Sequence, residues 1–399
     1  MRAGTEGFQP ERLVQARDAR GLTQVALSEL IGRTSASISR WESGAQLPEA
    51  EPLNDLGRAL NVPVSFFLVP IPDHGPAPIF FRSDAATTQG LRKRTRVRLR
   101  WAQDISLTLQ GWLDLPQVNV PHIEAEDHRD ISDADIERAA HACRDSWGLG
   151  SGPLSDVLLV LENAGVVVVK EQVGSTNMDG LSNWSEMDSR PYVLVARDKE
   201  TCVRGRMDAS HELGHLVLHR YIEQKKLNNK ADFKEIERQA FHFAGAFLLP
   251  AESFASEVWS PSLNTFVTLK ERWKVAVGAM IKRCQNLGII SETYTTRLWK
   301  YYSARGWRKQ EPLDDRIPIE EPRLLPRAIK VLIEQGVMER GQLLSEIRLS
   351  HTDTETLCGL PRGYMNADKA EVVAMPRVRA TTTTSEGDGS VVPFGKGAR

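Results

Sequence analysis

MDASHELGHLVLH, residues 207–219, is the stretch on which the reading of this chain turns. On an α-helix residues four apart lie on the same side, so His211 and His215 can direct two imidazoles at one ion, with Glu212 beside them at the rim. Neutral imidazole nitrogens suit Zn²⁺, which keeps one position open for water in catalytic sites. A third ligand has to come from a neighbouring helix, and DFKEIERQAFHFAGAFLLP, residues 232–250, offers Glu237 and His242. At about 100° per residue, Phe233, Ile236, Ala240, Phe243 and Phe247 fall within about 80° of one another and mark the buried face. Glu237 lies at the border of that face, beside Ala244, where a carboxylate reaches an ion between two packed helices. His242 points about 140° away from Glu237, toward solvent. Glu237 is therefore the expected third ligand. His219 continues the series but drifts about 80° from His211, which places it at the helix C-terminus, where a donating or cationic group is favoured.

Around this helix the chain reads as an α+β unit. DADIERAAHACRDSWGL (133–149) and LSDVLLVLENAG (154–165) have the period of amphipathic helices. VVVVKEQV (166–173) and PYVLVA (191–196) are strands, with GLSNW (180–184) as a short strand between them. The metal helix follows over about 203–219, then a helix over about 232–249 that stops at Pro250.

The first seventy residues differ in kind. Pro10 opens a helix that Gly21 ends; Thr23 caps a second, stopped by Gly32; Thr34 caps a third, SASISRWES, ending at Gly44; Pro48 and Glu49 begin a fourth. Two short helices joined by a tight glycine-containing turn are the helix-turn-helix pattern, whose second helix enters the major groove. Residues 1–70 hold seven Lys and Arg against eight Asp and Glu, a poor electrostatic footprint for nucleic acid. Residues 69–78, with four prolines, predict a semi-rigid linker. The bridge continues to about residue 130 and contains LRKRTRVRLRW (91–101), with six basic residues. On a helix running to about Leu115, Leu91, Leu99, Ala102, Ile105 and Leu109 form one stripe, with the arginines of segment 92–100 outward. Those arginines are either phosphate contacts or a solvated face.

Beyond residue 255 the chain is helical to about 365, and KVAVGAMIKRCQNLG reads either as a second helix-turn-helix or as part of a helical subdomain shaping the cleft. From about 366 the apolar period is lost, which predicts a disordered tail. The 399 residues, 41% hydrophobic and 26% charged, predict a soluble protein of two or three domains. No apolar run approaches the roughly 20 residues that span a bilayer, and MRAGTEGFQPERL lacks a signal peptide's apolar core. Cys143, Cys202, Cys284 and Cys358 are far apart and read as buried free thiols. The expected compartment is the cytosol. A net charge of −1 means that any contact with DNA has to be local.

Two resemblances sharpen these readings. Residues 10–68 resemble the Xre (lambda-repressor-like) helix-turn-helix family through Leu22-Thr23-Gln24, Ile38-Ser39-Arg40-Trp41-Glu42, Gly44 and Pro48. That implies a double-stranded DNA contact in which Gln24 meets a phosphate and Ser35, Ala36, Ser37 and Arg40 face the duplex. Such heads work by default as C2 homodimers on palindromic sites. Residues 133 to about 312 are similar to the ImmA/IrrE family of metallopeptidases. The match runs through Glu162-x-x-Gly165-Val166, Asp179-Gly180-Leu181-Ser182, Arg190-Pro191-Tyr192, His211 to His219, Glu237-Arg238-Gln239-Ala240, and Leu248-Leu249-Pro250, with Gly306-Trp307-Arg308 and Glu311-Pro312 beyond. The resemblance implies a minimal zincin-like domain with a small sheet, in which His211, His215 and Glu237 ligate Zn²⁺ and Glu212 is the general base. One departure stands out: the family usually has Asn or Asp after the alanine of its E-x-x-A motif, and here that place is Phe241. Tyr192 and His219 are candidates for oxyanion stabilisation, and strand 191–196 is the expected edge for a peptide substrate.

The expected architecture is thus multidomain and mainly α: a helix-turn-helix head (1–70), a linker and basic helix (71–130), a metallopeptidase (131–255), a helical extension (256–365) and a tail (366–399). The expected function is a cytosolic zinc endopeptidase that cleaves a protein partner such as an Xre-type repressor. The alternative is a transcriptional regulator or antitoxin whose peptidase-like part senses or binds without cutting.

Overall fold

The computed structural model describes residues 4–83, 88–175, 178–198 and 201–366. The expected disordered tail lies outside the described residues, apart from its first residue, Asn366. The protein is multidomain and mainly α, with one small sheet. The head is α1 (Pro10–Ala19), α2 (Gln24–Leu30), α3 (Ser35–Glu42) and α4 (Ala50–Leu60). Thr23 and Thr34 cap α2 and α3 by accepting from the Ala26 and Ser37 amides, which fixes where each helix starts. A short strand, β1 (Phe80–Ser83), and the long helix α5 (Gln89–Gln110) form the bridge.

Helices α6 (Asp133–Ser146) and α7 (Val157–Asn163) precede β2 (Val167–Glu171), β3 (Met178–Ser185) and β4 (Arg190–Ala196). The helix carrying His211, Glu212 and His215 is α8 (Cys202–Leu218), and α9 (Lys230–Leu248) packs along it. Helices α10 (Ala251–Glu257), α11 (Leu263–Trp273), α12 (Val277–Asn286) and α13 (Glu292–Ala304) follow, then α14 (Leu324–Glu334), α15 (Arg340–Ile347) and α16 (His351–Leu357). Among the described residues no helix is long and apolar enough to cross a membrane. All four cysteines are buried and free.

The strand order is β1-β3-β4-β2, with β2 parallel to β4 and the other pairs antiparallel. Strand 191–196 is therefore interior, not an edge. It pairs with β3 on one side and β2 on the other, so it has no ladder of main-chain groups left for a peptide. Alternation along the strands divides the sheet's side chains between two cores. Val168, Val193, Val195 and Trp184 join Ala209, Leu213 and Leu216 of α8 and the apolar residues of α9 and α11–α12. Val167, Val169, Leu181, Tyr192 and Leu194 join α5, α14–α16 and the core of the head.

The bridge is more embedded than a linker. Residues 74–79 lie along β3: Asn183 Nδ2 donates to the Ala77 and Pro78 carbonyls at 2.9 and 3.0 Å, and the Glu186 amide donates to the His74 carbonyl at 3.0 Å. In α5 the apolar stripe is as expected at Leu99, Ala102, Ile105 and Leu109, but not every arginine faces outward. Arg98 is buried, paired with Glu171 of β2 and Asp353 of α16. A guanidinium so enclosed by two carboxylates does a structural job and has no access to a phosphate.

Candidate metal centre

α8 and α9 approach closely because Gly214 has no side chain. A Cβ there would stand 3.0 Å from the Ala240 carbonyl oxygen and 3.2 Å from Phe243 Cδ1. This contact brings the first ligand helix against the second. His211 Nε2 lies 3.0 Å from His215 Nε2, and the Glu237 carboxylate oxygens lie 3.3 and 3.2 Å from those two nitrogens. Ligand atoms about 2.0–2.1 Å from a tetrahedral zinc stand about 3.3 Å apart, so the donor set and its spacing fit that ion. Among the described residues this trio is the only group of three or more His, Cys, Asp or Glu so gathered. Burial pushes the Glu237 carboxyl up, but the charge and hydrogen bonds of His211 and His215 outweigh it and hold the group well below the usual carboxylate range. It is thus in the ionised form that a metal needs.

A relay behind His215 sets its tautomer. Gln239 Nε2 donates to the His128 and Ile131 carbonyls at 2.8 and 3.0 Å, so its Oε1 faces His219 Nε2 at 3.0 Å as an acceptor. His219 therefore carries its proton on Nε2, and its Nδ1 accepts from His215 Nδ1 at 3.0 Å. That leaves the His215 Nε2 lone pair aimed at the metal position. Burial above all drives the His219 imidazole well below the usual histidine range, which keeps it the neutral acceptor that the relay requires. Sequence reasoning placed His219 at the helix end, where it is, but missed this role, and it met Gln239 only as a motif residue with no role.

Glu212 is fully buried and accepts from Ser182 Oγ of β3 at 2.6 Å. Gly180 opens the space beside it: a Cβ there would meet Glu212 Oε1 at 2.9 Å. The other expected site residues fall elsewhere. Tyr192 points to the opposite face of the sheet, where its hydroxyl donates to Asp188 Oδ2 at 2.6 Å, so it is no oxyanion donor. His219 stands behind His215 and is none either. His242 does point away from the metal position, but not to solvent: it is buried, 2.8 Å from Glu137 Oε1. Phe241 lies at the rim, 40% exposed, its ring centroid 4.4 Å from that of His211. Beyond it a cavity of about 900 Å³ opens between α8, α9, α12 and α13, with Met207, Trp299, Tyr302 and Trp307 in its walls.

In the head, Ser35, Ala36 and Arg40 are exposed on α3 and Ser37 is half-buried. Gln24 is half-buried at the start of α2, where its Nε2 donates to Glu42 at 2.7 Å. Arg17 holds the same carboxylate from the other side.

Residues 161–285 match the family described as IrrE N-terminal-like domain (Peptidase_M78), and residues 11–65 match a helix-turn-helix domain. No curated protein matches the chain. The first match takes in β2 to β4, the helices α8 and α9, and Ser182, His211, Glu212, His215, His219, Glu237 and Gln239. The chain therefore carries a helix-turn-helix domain and, after it, an IrrE N-terminal-like domain of the ImmA/IrrE type.

Proposed function

We propose that the chain is a zinc-dependent endopeptidase carried on a DNA-binding head, which controls transcription in the cytosol by cutting a protein partner such as an Xre-type repressor. The observation that carries this reading is the convergence of His211, His215 and Glu237 beside the buried carboxylate of Glu212, since a binding module has no use for Glu212. In this reading His211, His215 and Glu237 hold the ion. Zinc there supplies Lewis acidity toward the scissile carbonyl and toward the attacking water. Glu212, oriented by Ser182, takes the proton from that water and passes it to the leaving amine. Water is thereby added across one peptide bond. On the head, Gln24 meets a backbone phosphate, and Ser35, Ala36, Ser37 and Arg40 face the major groove of double-stranded DNA, with a homodimer on a palindromic site. Serine and alanine offer few base-edge hydrogen bonds, so sequence discrimination is modest and rests on Arg40.

A second reading has an observation in its favour. His211, Glu212 and His215 are all fully buried, as in a site built for stability. That suits a regulator or antitoxin whose metal-holding domain senses or binds without cutting. Incubating the zinc-loaded chain with purified Xre-type proteins, and mapping fragments by mass, separates the two. Discrete fragments that vanish with chelator support the endopeptidase; none from any such protein supports the regulator. Selection from random duplex DNA, repeated with Arg40→Ala, tests the head, and an unchanged selected sequence would remove Arg40 from the reading.

A further inference from the structure

The bridge contributes a strand that neither family match accounts for. β1 comes from residues 80–83, outside the matched region 161–285, yet it completes the sheet beside the metal centre. Within that region β3 is an edge, since β4 lies on its other side. β1 covers this edge antiparallel, with Phe80 opposite Ser182, Phe81 opposite Leu181 and the Arg82 backbone opposite Gly180. Ser182 and Gly180 are the positions that adjoin Glu212. Upstream, the Asn183 and Glu186 bonds already described, and the Ile79 amide donating to Gln224 Oε1 at 3.0 Å, hold residues 74–79 in the same course. The Phe80 ring, 3% exposed, stacks on the imidazole of His215 at 4.6 Å and 6° and shares an apolar cluster with Ile222 and Ile236.

We propose that residues 74–83 are a built-in competitor of the substrate: they fill the edge of β3 where an extended peptide would add antiparallel, and Phe80 takes the place against His215 of a large apolar substrate side chain. The proposal rests on the metallopeptidase reading of the site. An added strand gains affinity from main-chain hydrogen bonds, which ask little of sequence, while a side-chain pocket supplies the selectivity. Here the pocket is the face of His215 with Ile222 and Ile236. A charged residue there would be buried without a partner, and a small one would leave a void. Substrate and bridge compete for one place, and the bridge competes at the high effective concentration of a tethered segment, in the millimolar range for short tethers. Because the bridge joins the head to α5, whatever lifts residues 74–83 also bears on the position of the head.

The test uses full-length, zinc-loaded chain carrying Glu212→Gln, so that binding is read without hydrolysis. The probe is a fluorescein-labelled peptide, HGPAPIFFRS, copying residues 74–83. Adding Phe80→Ala to the chain empties the apolar cluster and weakens the internal strand, so the peptide should bind at least tenfold more tightly by anisotropy. A second peptide with aspartate in place of the first of its two phenylalanines should bind at least tenfold more weakly than the first. Equal affinity for chains with and without Phe80→Ala, or equal affinity of the two peptides, overturns the proposal. Should Phe80→Ala fail to fold, Asn183→Ala, which removes two anchors of the bridge, provides the same comparison. A chain that binds as stated but cuts nothing strikes the endopeptidase reading and leaves this one standing. A chain that cuts Xre-type proteins but shows equal affinities strikes only this one.

Discussion

His219 and Gln239 bear on the proposed metal site through His215, because they decide which of its nitrogens carries the proton. His219→Leu or Gln239→Leu should weaken zinc binding by about 10- to 100-fold, as measured by competition with a chromogenic chelator. Unchanged affinity in both would show that the relay does not set the tautomer. Gly214 acts by what it leaves out. Gly214→Ala puts a methyl group 3.0 Å from the Ala240 carbonyl, so α8 and α9 must part by a few tenths of an ångström. We expect a loss of about 1–3 kcal/mol in urea denaturation together with weakened zinc binding; a variant with full stability and full affinity would contradict this. At this scale the gathering of His211, His215 and Glu237 was legible, because i, i+4 spacing and a helical face are properties of short stretches. The relay and Phe80 were not. Gln239 makes its bonds to two loop carbonyls, and Phe80 meets His215 across more than a hundred residues of sequence, so no local pattern records either.

Among the elements, the start of α12 rests on a buried charge cluster. Glu311 accepts from the Val277 and Gly278 amides at 2.8 and 3.0 Å and from Lys270 Nζ at 2.8 Å, with Asp314 as the second partner of that lysine at 2.5 Å. Lys270 is fully buried. Glu311→Ala strands its ammonium on one partner and orphans two amides, which should cost about 3–5 kcal/mol in denaturant unfolding. A cost below about 1 kcal/mol would mean that Asp314 alone satisfies the lysine. The Glu311-Pro312 pair was visible in the sequence as a motif, but its purpose was not, because Lys270 lies in α11, 41 residues away. The elements themselves were readable from period and caps: Thr23 and Thr34 each start a helix by accepting an amide. Their neighbours were not readable. Three strands in sequence do not reveal their order in space, so β4 was expected at an edge; its parallel pairing with β2 puts it inside.

Across the whole molecule, Asp353 ties three regions together. It accepts from Arg20 of the head at 2.9 and 2.5 Å, and it pairs with Arg98 of α5, which also holds Glu171 of β2. The head is therefore docked on the sheet side of the IrrE N-terminal-like domain, and the chain's division by composition did not reveal this, because the docking uses isolated residues far apart in sequence. Burial pushes the Asp353 carboxyl up, but the hydrogen bond from Arg20 and the charges of Arg98 and Arg20 outweigh it and bring the pKa down to about 2 from 3.8. A depressed carboxyl stabilises the fold fully above its unfolded pKa and ceases to do so as pH falls through its folded one. About 2 kcal/mol should therefore disappear between about pH 4 and pH 2, and Asp353→Asn should abolish that part of the acid dependence in urea denaturation. An identical pH profile in the variant would place the acid sensitivity elsewhere. The central claim, a zinc centre with Glu212 as its base, is tested most directly by zinc stoichiometry and cleavage of an Xre-type protein measured side by side for the unaltered chain and Glu212→Gln. The account predicts one zinc per chain in both, with fragments from the unaltered chain alone. Zinc in neither, or equal cleavage by both, would contradict it.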